Sequence, residues 1–120
     1  MLQQRSYGSV RIISINRDDV LARLRAIARQ ICAQHPQVKS VRVFGSIARG
    51  DQVGTSDVDV MIVLRGSGEG EFEHVCSFYP YFDLPIGVDL LVLTEGQIAR
   101  RLQAEDAFMA RVWKESQALS

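Results

Sequence analysis

Cysteine is scarce in this chain. Cys32 and Cys76 are the two in a sequence of 120 residues, too few for a disulfide framework and better read as reduced, packed thiols. Long apolar runs are missing as well. The longest, Val60–Leu64, is too short for a membrane span or the core of a signal peptide, so a cytoplasmic protein with no membrane contact is expected. Neither sign of charge is in surplus, since 14 Lys and Arg stand against 14 Asp and Glu. A protein that tracks long nucleic acid by its phosphates needs a positive excess, so that class of partner is not favoured. The single tryptophan, Trp113, is expected to be a packing anchor rather than a platform for stacking bases. His74 and Cys76 make a poor metal pair, because two lone ligands rarely suffice.

What is present amounts to one domain, 1–120, long enough to bury about two thirds of the surface of its unfolded chain. Asn16 is placed to cap a helix whose apolar stripe is Val20, Leu24, Ile27 and Ile31, with Leu21 and Ala28 beside it. Arg25 and Arg29 fall on the opposite face with Arg23 on the flank, which reads as a solvated surface. His35-Pro36 ends the helix, and Val38 to Phe44 alternates as a strand. Val10, Ile12, Ile13 and Ile15 suit an edge strand or a mobile arm.

The segment 66–85 is rich in glycine and aromatics, with Phe72, Val75 and Phe78 spaced for a helix and Phe78-Tyr79-Pro80-Tyr81-Phe82 reading as core and turn. Thr94 and Gln97 have the spacing of a capping box. Helices follow, interrupted near Glu105-Asp106, with Ile98, Leu102, Phe108, Val112 and Trp113 as their apolar faces.

The informative feature is a set of acids. Gly45-Ser46 is followed, after ten residues, by Asp57-Val58-Asp59 at the head of Val60–Leu64. Strand side chains alternate, so Asp57 and Asp59 point the same way with α-carbons about 6 to 7 Å apart. Two ionised carboxylates about 4 Å apart repel by on the order of 4 kcal/mol at an effective dielectric near 20. Hard divalent cations remove that conflict. Asp89 interrupts the otherwise apolar Val88–Leu93, and an isolated carboxylate in a buried strand is costly unless it is paired or metal-bound. Asp83, in a turn before Pro85, is the rival third acid and ranks well below Asp89. Upstream, Gly45 lets the backbone approach a phosphate, Ser46 adds a hydroxyl and an amide, and a helical turn from Ile47 adds further donors. A phosphate-cradling turn and a metal-binding strand at this spacing outline a nucleotidyl-transfer site.

These stretches, Gly45-Ser46-Ile47-Ala48-Arg49-Gly50, Ser56-Asp57-Val58-Asp59 and Val88-Asp89-Leu90, resemble the minimal nucleotidyltransferases of the DNA polymerase beta superfamily. The resemblance spans about residues 38 to 93. It implies an α+β fold, a short mixed β-sheet packed by helices in two layers. It implies Gly45, Ser46, Arg49 and Ser56 on the nucleotide, and Asp57, Asp59 and Asp89 as catalytic ligands of two Mg2+ ions. It also implies ATP as substrate, AMP transfer to a hydroxyl of a partner protein, and an antitoxin role beside a helical HEPN-domain toxin. An oligomer is compatible with that role. Two other readings stay open at this point: a partner-binding module of the same fold without catalysis, and a nucleotidyltransferase acting on a small molecule.

Overall fold

The run Val60–Leu64 becomes the interior of the most buried strand of a four-stranded sheet. The computed structural model describes residues 2–7, 10–15, 17–49, 57–66, 77–84 and 86–119. The elements are strands β1 (Leu2–Tyr7) and β2 (Val10–Ile15), helix α1 (Arg17–Gln34), strand β3 (Val38–Phe44), a single helical turn α2 (Ser46–Arg49) and strand β4 (Val58–Leu64). A 3-10 turn at Tyr79–Tyr81, strand β5 (Val88–Thr94), helices α3 (Glu95–Gln103) and α4 (Ala107–Glu115) and a two-residue strand β6 (Gln117–Ala118) complete the set. The sheet runs β5-β4-β3-β6, with β4 parallel to β5 and the other pairs antiparallel. This is the mixed α+β sheet that the resemblance implies.

Strands β1 and β2 pair with each other in a separate two-stranded sheet, Leu2 opposite Ile15 and Tyr7 opposite Val10. The segment that suits an edge strand thus finds its partner in the preceding residues.

Alternation along β4 divides the core in two. Val58, Val60, Ile62 and Leu64 pack with Val41 and Val43 of β3 against Leu24, Ala28 and Ile31 of α1. Met61 and Val63 face the other way, against Ile98 of α3 and Met109 and Val112 of α4. Helices therefore cover both faces of the sheet. Of the α1 stripe Val20, Leu24 and Ile31 are buried and Ile27 partly so, Arg25 and Arg29 are exposed, and Asp18 and Asp19 in the first turn favour its positive end. The cap proposed at Asn16 lies outside the described residues.

The expected helix through Phe72 and Val75, and the pair His74 and Cys76, also lie outside them. Phe78 and Phe82 are core residues, whereas Tyr79 is 49% exposed and its hydroxyl donates to the Val88 carbonyl at 2.8 Å. Thr94 forms the capping box: its hydroxyl accepts from the Gln97 amide at 3.1 Å and its amide donates to Oε1 of Gln97 at 3.0 Å. Glu105 takes a φ of 59°, the left-handed turn that ends α3, and Asp106 caps α4 through the Met109 amide at 3.0 Å.

Two expectations about the C-terminal helices change. Met109 takes the core position that the spacing assigns to Phe108, which is 47% exposed. Trp113 is 37% exposed and lies under the Arg42 guanidinium, 4.7 Å from the ring centroid, so it is a half-open cation–π partner rather than a buried anchor. Among the described residues no helix is long and apolar enough to cross a membrane.

Candidate active site

At its Asp57 end β4 emerges on the α4 side of the sheet, and the acids gather there. Parallel pairing sets Val58 beside Val88 and Asp59 directly beside Asp89. Both carboxylates lie on the face that, deeper in, carries Met61, Val63 and Leu93. They are close enough to share a hydrogen bond. Asp59 is pushed above its ordinary value of 3.8, first by burial and then by the charge and hydrogen bond of Asp89, with Asp57 and Glu115 adding to the effect. Asp83, the rival acid, is exposed on the turn after Phe82, where its carbonyl accepts from Arg23 at 3.1 Å.

Glycine makes room for two of the carboxylates. Gly45 follows β3 with a φ of +74°, and a Cβ there would stand 2.2 Å from Oδ2 of Asp59. Both the left-handed backbone and the contact demand glycine. The space that the sequence suggests for a phosphate's approach is thus shared with Asp59. At Gly87 a Cβ would stand 2.4 Å from Oδ1 of Asp57. The Gly87 carbonyl accepts from the Val58 amide at 2.9 Å, which ties the start of β4 to the start of β5.

Ser46 is the first residue of α2. That short turn is held at its far end: Arg17 donates to the Ile47 carbonyl at 2.8 Å and Gln117 to the Ala48 carbonyl at 2.8 Å. Arg49 extends from the last position of α2 to Glu115, Nη1 to Oε2 at 3.0 Å, while the Gly45 amide donates to Oε1 of the same carboxylate at 3.1 Å. Ser56 lies outside the described residues.

Between the sheet and α4 is a cleft of about 540 Å³ lined by Phe44, Gly45, Arg49, Asp59, Asp89, Leu90, Leu91, Phe108, Arg111 and Glu115. Of the residues that the sequence singles out, the fold brings Gly45, Arg49, Asp59 and Asp89 to this cleft. Asp57, two residues before Asp59 and exposed, stands at the strand entrance close enough to raise Asp59 electrostatically. Among the described residues no group of three or more His, Cys, Asp or Glu side chains is arranged to hold a metal ion. Arg111 and Glu115 escape the sequence reading, which names Phe108 only as an apolar residue of its helix. They share one face of α4 at helical spacing, but nothing local tells that Glu115 meets a turn 70 positions earlier.

Comparison with known proteins bears on the family and the fold. A family described as "Nucleotidyltransferase domain" matches residues 24–115. A protein of Methanocaldococcus jannaschii named "Putative protein adenylyltransferase MJ1379" is 29% identical over 70 residues, 58% of this chain and 70% of that protein. A solved structure from Sulfolobus solfataricus, reported as a "putative nucleotidyltransferase", superposes with a TM-score of 0.59 at 30% identity over 70% of this chain and 75% of that one. A toxin–antitoxin structure with AMP-PNP shares the fold, with a TM-score of 0.51 at 17% identity over 88% of this chain and 73% of that chain.

Proposed function

The chain belongs to the nucleotidyltransferase domain family, and on that premise we propose that it transfers AMP from ATP to a hydroxyl of a partner protein. The observation that carries this reading is the register of β4 and β5, which puts Asp59 and Asp89 side by side below the Gly45 turn.

The donor set suits Mg2+. It consists of carboxylate oxygens alone, and Asp59 is already raised by burial and by its neighbours, a conflict that a cation relieves. Magnesium commonly takes one or two carboxylates plus substrate phosphates rather than a cage made wholly of protein. Asp57 and Asp59, with Asp89 on the neighbouring strand, would hold two such ions. When bound, they lower the pKa of the acceptor hydroxyl and neutralise charge developing on the α-phosphate and the departing pyrophosphate.

The rest of the task falls to this chain's own groups. The Gly45 amide and the Arg49 guanidinium receive phosphate oxygens, and Ser46 and Ser56 belong to the same nucleotide contact set. Asp89 orients the acceptor hydroxyl. The acceptor hydroxyl passes its proton to the Asp89 carboxylate, and its oxygen bonds the α-phosphorus in line as the bond to pyrophosphate breaks.

A protein acceptor is favoured by the name of the M. jannaschii relative, and a toxin as that acceptor by the shared fold with the toxin–antitoxin structure. We assign the toxin to the HEPN class from the sequence resemblance, and place the pair in the cytoplasm. Incubation with Mg2+, labelled ATP and the co-purifying partner, followed by intact mass of both chains, tests the reading. The expected result is one or more AMP units on the partner. A tight complex in which neither chain gains mass favours contact-only neutralisation instead.

A further inference from the structure

The two groups assigned to the nucleotide phosphates line the cleft, yet both already hold an anionic partner. Glu115 bridges them, with Oε1 on the Gly45 amide at 3.1 Å and Oε2 on Arg49 at 3.0 Å. A carboxylate presents two anionic oxygens to these donors much as a phosphate does, and charge-assisted hydrogen bonds of this kind are the strong ones. The Glu115 side chain is only 14% exposed, whereas that of Arg49 is 45% exposed, so the carboxylate is held from within while the guanidinium stays open to solvent. The anionic charge of Glu115 also adds to that of the acids, since it is among the groups that raise Asp59.

The geometry points to Glu115 as an internal anion that occupies the phosphate-receiving donors until the triphosphate of a nucleotide displaces it. This rests on the reading of Gly45 and Arg49 given under the proposed function. Glu115 is thus a specificity residue for the site: only a ligand with enough negative charge to replace a carboxylate gains both donors. The exchange conserves hydrogen bonds, because phosphate oxygens take over the two that Glu115 gives up. Glu115 lies at the C-terminal end of α4, and Arg111 one turn earlier on the same cleft-lining face can receive the displaced carboxylate.

Apparent affinity for a ligand is lowered in proportion to the fraction of molecules whose site is free to receive it. Removing the competing carboxylate must therefore tighten binding of ligands that carry the triphosphate and leave a ligand without phosphate untouched. The test is calorimetric titration of the full chain and its Glu115→Gln and Glu115→Ala variants, with Mg2+, using a non-hydrolysable ATP analogue, inorganic tripolyphosphate and adenosine. Expected is at least about fivefold tighter binding of both triphosphate ligands by both variants, with adenosine binding unchanged. If wild type binds the ATP analogue and the variants bind it equally well or more weakly, Glu115 is a strut between α4 and the turn, and the inference is overturned while the functional reading stands. If neither wild type nor variants bind either triphosphate, both fall together.

Discussion

The two faces of β4 use one run of backbone for opposite purposes. Towards α1, Val58, Val60 and Ile62 are completely buried in an apolar cluster that continues to the end of the strand. Towards α4, Met61 is as deeply buried, yet two residues earlier the same face carries Asp59, half-buried beside Asp89 and within the field of Asp57 and Glu115. One face is spent on stability along its whole length. The other is stable only in its inner half, where Met109 and Val112 cover it. Beyond them, residues of α4 that line the cleft are Phe108, Arg111 and Glu115. Period-two alternation makes this division possible, because chemistry on one face leaves packing on the other undisturbed.

That contrast makes its largest prediction on the acidic face. Asp57→Asn combined with Asp59→Asn should lower AMP transfer by about a thousandfold or more, comparable to losing the central electrostatic groups of other active sites. The fold should survive, since the apolar face is untouched. Circular dichroism and labelled-ATP incorporation read both halves, and Mg2+ should raise the melting temperature of the wild type but not of this variant.

The mirror experiment is Ile62→Ala on the α1 face. It should cost about 2 to 5 kcal/mol in denaturant unfolding, because a fully buried branched side chain leaves a cavity that the sheet cannot close. Under conditions where the variant remains folded, nucleotide affinity should be close to that of wild type.

A third test falls on the seam between the faces. Gly45→Ala places a methyl group on Asp59 at a position with positive φ. The backbone cost is about 1 to 3 kcal/mol. Displacement of the carboxylate should reduce transfer on the order of a hundredfold, the usual consequence of misplacing a reacting group by about an ångström. Steady-state rates at saturating ATP measure it.

The smallest effect is on stability without metal. The folded pKa of Asp59 is raised above 3.8, so in this range the folded protein holds a proton that the unfolded chain has released. Stability then falls as pH rises from about the unfolded value through the folded one and is level above it. Asp59→Asn should therefore be more stable than wild type at neutral pH in EDTA, with the difference vanishing below the unfolded pKa. Thermal melts across that range give the sign.

Much of this was legible locally. The capping box of Thr94 and Gln97 follows from their spacing, and the α1 stripe from its helical period. Misjudgement of Phe108 and Met109 shows where periodicity runs short: two adjacent apolar residues straddle the edge of a helix face, and which of them turns inward depends on what α4 packs against. Trp113 failed similarly, because the Arg42 beneath which it lies comes from β3.

By itself the sequence determined helix α1 and strands β3, β4 and β5, the strand that carries paired acids, and the resemblance that names the chemistry, all set by interactions within a few residues. The sequence already ranks Asp89 above Asp83, but only the tertiary structure sets it directly beside Asp59, because strand register is a property of two segments paired in space. The tertiary structure also decided that β2 pairs with β1, that Gln117–Ala118 extends the sheet beside β3, and that Glu115 closes on the Gly45 turn. Each is a contact between distant stretches of chain, and the balance of burial, pairing and charge that settles it exists only once the whole chain has folded.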